Sequence, residues 1–213
     1  MTLSTGSARR RLYIAAGSFV LAVILWYMVF VLPYGKFWIK MAIATPILAA
    51  ISLWQIKPRW ADITAIRIRH VVIGVGSAIF LYGVFYVGKI ILAWILPGSN
   101  HMIASVYSTG QGIPMWIIAL LLLFLTSPAE ELYWRRFIQQ TVGERWGRFP
   151  AFLITVGLYT LVHVVTLNPA LIMAAFVAGF VWGLIYYYEQ SIIPTVISHA
   201  LWATTIFVLL PVL

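Results

Sequence analysis

Seven apolar runs follow one another along this chain with only short breaks between them. They cover residues 12–32, 37–56, 71–96, 115–140, 149–166, 169–188 and 191–210. A helix of roughly 20 apolar residues crosses a hydrocarbon core of about 30 Å, and the runs are of that order. The breaks carry turn formers: Pro33 with Gly35, Lys57-Pro58, Pro97-Gly98-Ser99-Asn100, Pro114, Gly147, Asn168-Pro169 and Ser191. Hydrophobic residues make up 63% of the chain and charged ones 9%, whereas a soluble domain carries about 25% charged residues. No water-soluble fold of this length hides so much apolar surface, so lipid is the expected solvent. The expectation is an all-α, polytopic membrane helix bundle of about seven transmembrane helices. It forms one integral membrane domain over residues 1–213, without a soluble domain or long linker.

A net charge of +9 raises nucleic acid as a partner, but the basic residues sit beside the apolar runs, which fits membrane topology and membrane lipid instead. With the N-terminus in the cytoplasm, that side receives all but Lys36, Lys40 and Lys89 of the 14 basic residues. The connections over 97–113 and 167–170 have no Lys or Arg. This bias predicts seven spans, with the C-terminus outside, in a bacterial cytoplasmic membrane; the 57–70 stretch could instead lie along the interface. Arg9, Arg10 and Arg11 precede the first run as in a signal peptide. That run is about 20 residues long, against about 7–15 for a cleaved signal, so a retained helix is expected. The absence of cysteine excludes disulfides, zinc-thiolate sites and thiol nucleophiles.

Ionisable residues within membrane spans are costly and mark function by default. Here they are Glu130, Glu131, Arg135 and Arg136 on the fourth run, His163 on the fifth and His199 on the seventh. Glu131 and Arg135, four apart, share a helix face and can pair. Glu130 lies about 100° around the helix without that partner. One carboxylate is then charge-compensated and structural, while the other, in low-dielectric surroundings, is suited to act as a general base. The plainer alternative leaves Glu130 neutralised by Arg136 or water near the cytoplasmic boundary. Residues on separate helices can converge on one buried cavity, which brings His163 and His199 into the same candidate site. His70 and His101 fall in basic and polar loops and are expected to be solvated. Lys40 is expected to snorkel to the outer interface; Lys89 either faces the cavity or pairs with a carboxylate. Trp26, Tyr27 and Trp54 suit interfacial belts or packing. Ala175, Gly179 and Gly183, spaced by four, allow close helix approach, either inside one subunit or between two.

At these residues the chain resembles the CAAX protease and bacteriocin-processing enzyme family, or Abi family, of intramembrane glutamic endopeptidases. The Glu-Glu-x-x-x-Arg motif is met by Glu130, Glu131 and Arg135. Phe-x-x-x-His is met by Tyr159 and His163 with an aromatic exchange, and the last motif by His199 after a Gly-containing helix. The resemblance covers roughly 126–205, the core that carries the motifs. It implies a protease acting on a membrane-associated peptide or protein without metal or cofactor. Glu130, His163 and His199 would be catalytic, with Glu131 and Arg135 supporting them. Ala203 departs from the pattern, standing where the family has an Asn that helps stabilise the oxyanion. Losing one such donor costs about 100–1000-fold in rate. Trp202 or Thr204 could replace it. Ala203 equally fits a non-catalytic member, of bacteriocin-immunity or scaffold type, that binds a partner peptide. A divalent metal on the same Glu/His/His set is a further alternative, though no His-Glu-x-x-His motif is present, and a transporter would show a repeat that is missing here.

Overall fold

The structure, a computed structural model, describes residues 5–56 and 65–212. Lys57, Arg59 and most of the 57–70 stretch fall outside them. The described residues are helical, with no strand among them. Six helices are long and apolar enough to cross a membrane: α1 (Thr5–Phe30), α2 (Phe37–Ile56), α3 (Ile68–Ile95), α5 (Met115–Trp146), α6 (Arg148–Thr166) and α7 (Pro169–Glu189). A shorter apolar helix, α8 (Ile193–Leu209), follows. The polytopic bundle read from the sequence is present, its seventh helix shorter than expected.

Two elements differ from the sequence reading. A short helix, α4 (Ser99–Tyr107), occupies part of the 97–113 connection. Gly98 precedes it with φ +84°, a left-handed conformation open to glycine. The second difference is the length of α5, which continues past residue 140 to Trp146. Two polar side chains near this end are tied to neighbouring helices. Gln139 donates to the Gly183 carbonyl at 2.9 Å, and Glu144 pairs with Arg11 of α1 at 2.9 Å. The added turns put Glu130 near the middle of α5 instead of near the cytoplasmic boundary. α5 also contains two π-helical stretches, Leu122–Thr126 and Leu132–Gln139, either side of the segment bearing the glutamates. Such local widening of a helix recurs at functional sites.

α8 packs against α3 and α5, and α7 against α6. The small-residue stripe of α7 serves the second contact. A Cβ on Gly179 would lie 2.8 Å from the Tyr159 ring, and one on Gly183 would lie 3.0 Å from that of Phe152. The stripe is therefore an approach surface inside this subunit. At one end of the bundle Arg11–Glu144 (2.9 Å) and Arg69–Glu189 (2.7 Å) join distant helices by charge. At the other end the ties run to backbone carbonyls instead of carboxylates. Asn168 donates to the Met102 carbonyl at 2.9 Å, and Tyr107 to that of Ile206 at 3.0 Å.

Candidate active site

Glu130, His163 and His199 come from α5, α6 and α8, and all three line one cavity of about 480 Å³. The mid-helix position of Glu130 brings it level with the histidines. Glu131 and Arg135 do not line the cavity. They lie behind it and are wholly buried.

The two glutamates have different surroundings, as their spacing predicts. The Tyr159 hydroxyl donates to Glu130 Oε2 at 3.2 Å. Glu131 faces two cationic or potentially cationic partners. Arg135 Nε lies 3.3 Å from Oε2, and His199 Nδ1 lies 2.9 Å from Oε1. The Arg135 contact is a charge pair without hydrogen-bond alignment, and among the described residues none of its guanidinium nitrogens has a hydrogen-bond partner. The same guanidinium sits 5.3 Å from the centre of the Tyr159 ring, within cation–π range. Sequence spacing linked Glu131 to Arg135 but not to His199, which lies 68 residues away.

The histidines are held differently. His163 Nε2 receives the indole N–H of Trp26 at 3.2 Å, and Nδ1 contacts the Tyr159 carbonyl at 2.7 Å. An indole nitrogen only donates and a carbonyl only accepts. The ring is therefore neutral, with its proton on Nδ1. His199 stacks face to face on Trp182 at 3.8 Å. With Nδ1 turned to a carboxylate, its remaining nitrogen is left toward the cavity that the residue lines. Such an outer carboxylate fixes the orientation of the ring.

Two of these contacts were missed in the sequence. Of the two roles expected for these residues, Trp26 takes packing, fully buried against His163, while Tyr27 and Trp54 are exposed. Tyr159 is more than the aromatic of a motif, since its hydroxyl meets Glu130 and its carbonyl meets His163. His70 is another correction. It lies buried in the first turn of α3, because the apolar helix begins before it. His101 is exposed as expected, on α4. Ala203 lines the cavity, as does Trp202. The Trp202 indole nitrogen and the Thr204 hydroxyl are buried without partners among the described residues, and Thr204 does not line the cavity. Among the described residues no three His, Asp or Glu side chains are grouped so as to hold a metal ion.

The structure thus brings one carboxylate and two histidines to one cavity, with the Glu131–Arg135 pair buried behind it. Residues 112–205 match the model of the Rce1-like type II CAAX prenyl endopeptidases. The match spans α5 to α8 up to Thr205, takes in every candidate site residue, and supports a membrane endopeptidase. Trp26 lies outside it. Neither the curated proteins nor the solved structures compared with the chain include a match.

Proposed function

We propose that the protein is a metal-independent, glutamic-type intramembrane endopeptidase that hydrolyses a peptide bond in a membrane-associated peptide or protein. The observation that carries this is the convergence of Glu130, His163 and His199 from three helices on one cavity. Glu130 takes a proton from water as its oxygen attacks the scissile carbonyl carbon. Tyr159 orients the carboxylate. His163 accepts a hydrogen bond at Nε2 from the O–H that the attacking oxygen keeps, in place of the Trp26 N–H. The Nε2–H of protonated His199 donates to the carbonyl oxygen as it becomes an oxyanion, with Glu131 balancing the imidazolium. Glu130 then passes its proton to the departing amine, leaving a carboxylic acid and an amine. Arg135 balances Glu131 where water is excluded.

The positive-inside bias orients the arginine-rich end of the bundle toward the cytoplasm. The cavity extends the other way, where Ser105, Tyr107 and Asn168 line it. A second reading, a non-catalytic peptide binder, draws on Ala203 in the cavity wall. Mapping new peptide termini in membranes from cells with the intact protein or with Glu130→Ala separates the two. Termini that depend on the intact protein and vanish in Glu130→Ala, His163→Ala and His199→Ala, with each variant still in the membrane, are expected. Unchanged cleavage in Glu130→Ala would sink the proposal, and abolition by a chelator would remove metal independence.

A further inference from the structure

Lysines on the outer side of the bundle have distinct fates. Lys40 Nζ donates to the carbonyls of Met28 at 3.0 Å and Leu32 at 2.8 Å, acceptors around the end of α1. Lys36 donates to the Gly112 carbonyl. Lys89, on α3, has no hydrogen bond or ion pair among the described residues, yet it lines the cavity that holds Glu130. The described carboxylates are all engaged elsewhere: Glu130 by Tyr159, Glu131 by Arg135 and His199, Glu144 by Arg11 and Glu189 by Arg69. Among the described residues Lys89 is the only Lys or Arg on that wall, whose lining is mostly apolar. An intramembrane cation with no internal counter-charge marks a place for an external one.

Helix packing sets how far this charge lies from the reacting groups. Gly74 of α3 meets Ile197 of α8, and further along both helices Phe85 packs its ring 4.7 Å from that of Trp202. The two helices therefore run parallel. At 1.5 Å per residue, Lys89 lies roughly 10–20 Å beyond the level of His199, toward the end capped by α4. An extended peptide covers that span in about three to six residues.

We propose that Lys89 is a specificity-determining residue that reads a carboxylate on the bound peptide, about three to six residues from the scissile bond. This rests on the reading of the cavity as a peptide site. The carboxylate is supplied either by an Asp or Glu side chain or by a free C-terminus, and both present the same anion to the ammonium group.

The test is binding to the full chain carrying Glu130→Gln in lipid nanodiscs. The probes are dansyl-labelled Leu/Ala decapeptides with one Asp, Asn or Lys at stepped positions, amidated or free at the C-terminus. Energy transfer from the cavity tryptophans to dansyl reports occupancy. Amidated Asp peptides are expected to bind about 10-fold or more tighter than Asn peptides at the matching distance. Added Lys89→Met should abolish the preference and Lys89→Glu should transfer it to the Lys peptides. A free C-terminus at that distance should replace internal Asp, and preference for it alone would assign the anion to the chain end. Equal binding of Asp and Asn peptides, a preference that survives Lys89→Met, or no saturable binding by any peptide would overturn the inference. Charge selectivity without cleavage by the intact protein would overturn hydrolysis alone. Cleavage without charge selectivity would overturn the role of Lys89 alone.

Discussion

Trp26, on the first helix, donates its indole N–H to Nε2 of His163 at 3.2 Å, across 137 residues of sequence. The contact fixes the imidazole as an Nδ1–H tautomer and ties α1 to a site otherwise built from α5, α6 and α8. Nitrogen-15 spectra of labelled His163 should show one protonated ring nitrogen, at Nδ1, and one bare nitrogen. Trp26→Phe should shift the bare Nε2 signal and leave the Nδ1 proton on the Tyr159 carbonyl. A protonated Nε2 in the unaltered protein would contradict the assignment.

Tyr159→Phe removes the hydroxyl from Glu130 Oε2 and keeps the ring against Arg135 and His163. A hydrogen bond to a charged group is worth about 1.5–3 kcal/mol. If the contact orients the base in the transition state, kcat should fall about 10–100-fold. The unfolding temperature in detergent should move little. Unchanged turnover would show that Glu130 works without this donor.

Glu131 and Arg135 are both wholly buried, so removing one charge exposes the cost of burying the other. Glu131→Leu should lower stability by about 3–5 kcal/mol. Adding Arg135→Leu should recover most of that, as measured by thermal unfolding of the single and double variants. Cleavage should stay low in both, because His199 has lost the carboxylate on Nδ1. A double variant as unstable as the single one would mean that the pair is not the source of the loss.

Gly179→Ala places a methyl 2.8 Å from the Tyr159 ring. Overpacking of this kind costs about 1–3 kcal/mol, and the displaced ring should carry the Glu130 contact with it, lowering kcat. Gly157→Ala on α6 is the control, since its added methyl meets nothing within 4 Å. Equal turnover in the two variants would separate the α6–α7 approach from catalysis.

Ala203→Asn should place an amide on the cavity wall one helical turn beyond His199. If the oxyanion lacks a second donor, kcat should rise about 10-fold or more with KM nearly unchanged. A fall, or no change, would show that the substrate carbonyl is not held beside this position.

The helices were legible because each apolar run must satisfy its backbone inside lipid, and Glu131–Arg135 because four residues return a helix to the same face. What escaped was set by tertiary contact. α4 is short and polar enough to read as a loop. The end of α5 was placed at residue 140 because Gln139, Gln140, Glu144 and Arg145 look like an exit from the membrane. Gln139 is instead held by a carbonyl of α7, and Glu144 by α1. Trp26 resembles any other membrane tryptophan until α1 is packed. The Glu131–His199 contact joins two motifs, and neither motif's spacing contains it.

The two ends of the bundle are fastened by different means, and this makes the molecule unequal under salt. Arg11–Glu144 and Arg69–Glu189 tie α1 to α5 and α3 to α7 through charge, and Arg69 is largely exposed. A pair with an exposed partner weakens as counter-ions accumulate, and a partly buried one does so less. The Asn168 and Tyr107 ties at the opposite end are neutral and indifferent to it. Ionic strength thus acts chiefly on the arginine-rich base, through its exposed Arg69, while the hydrogen bonds to backbone carbonyls around the opposite end change little.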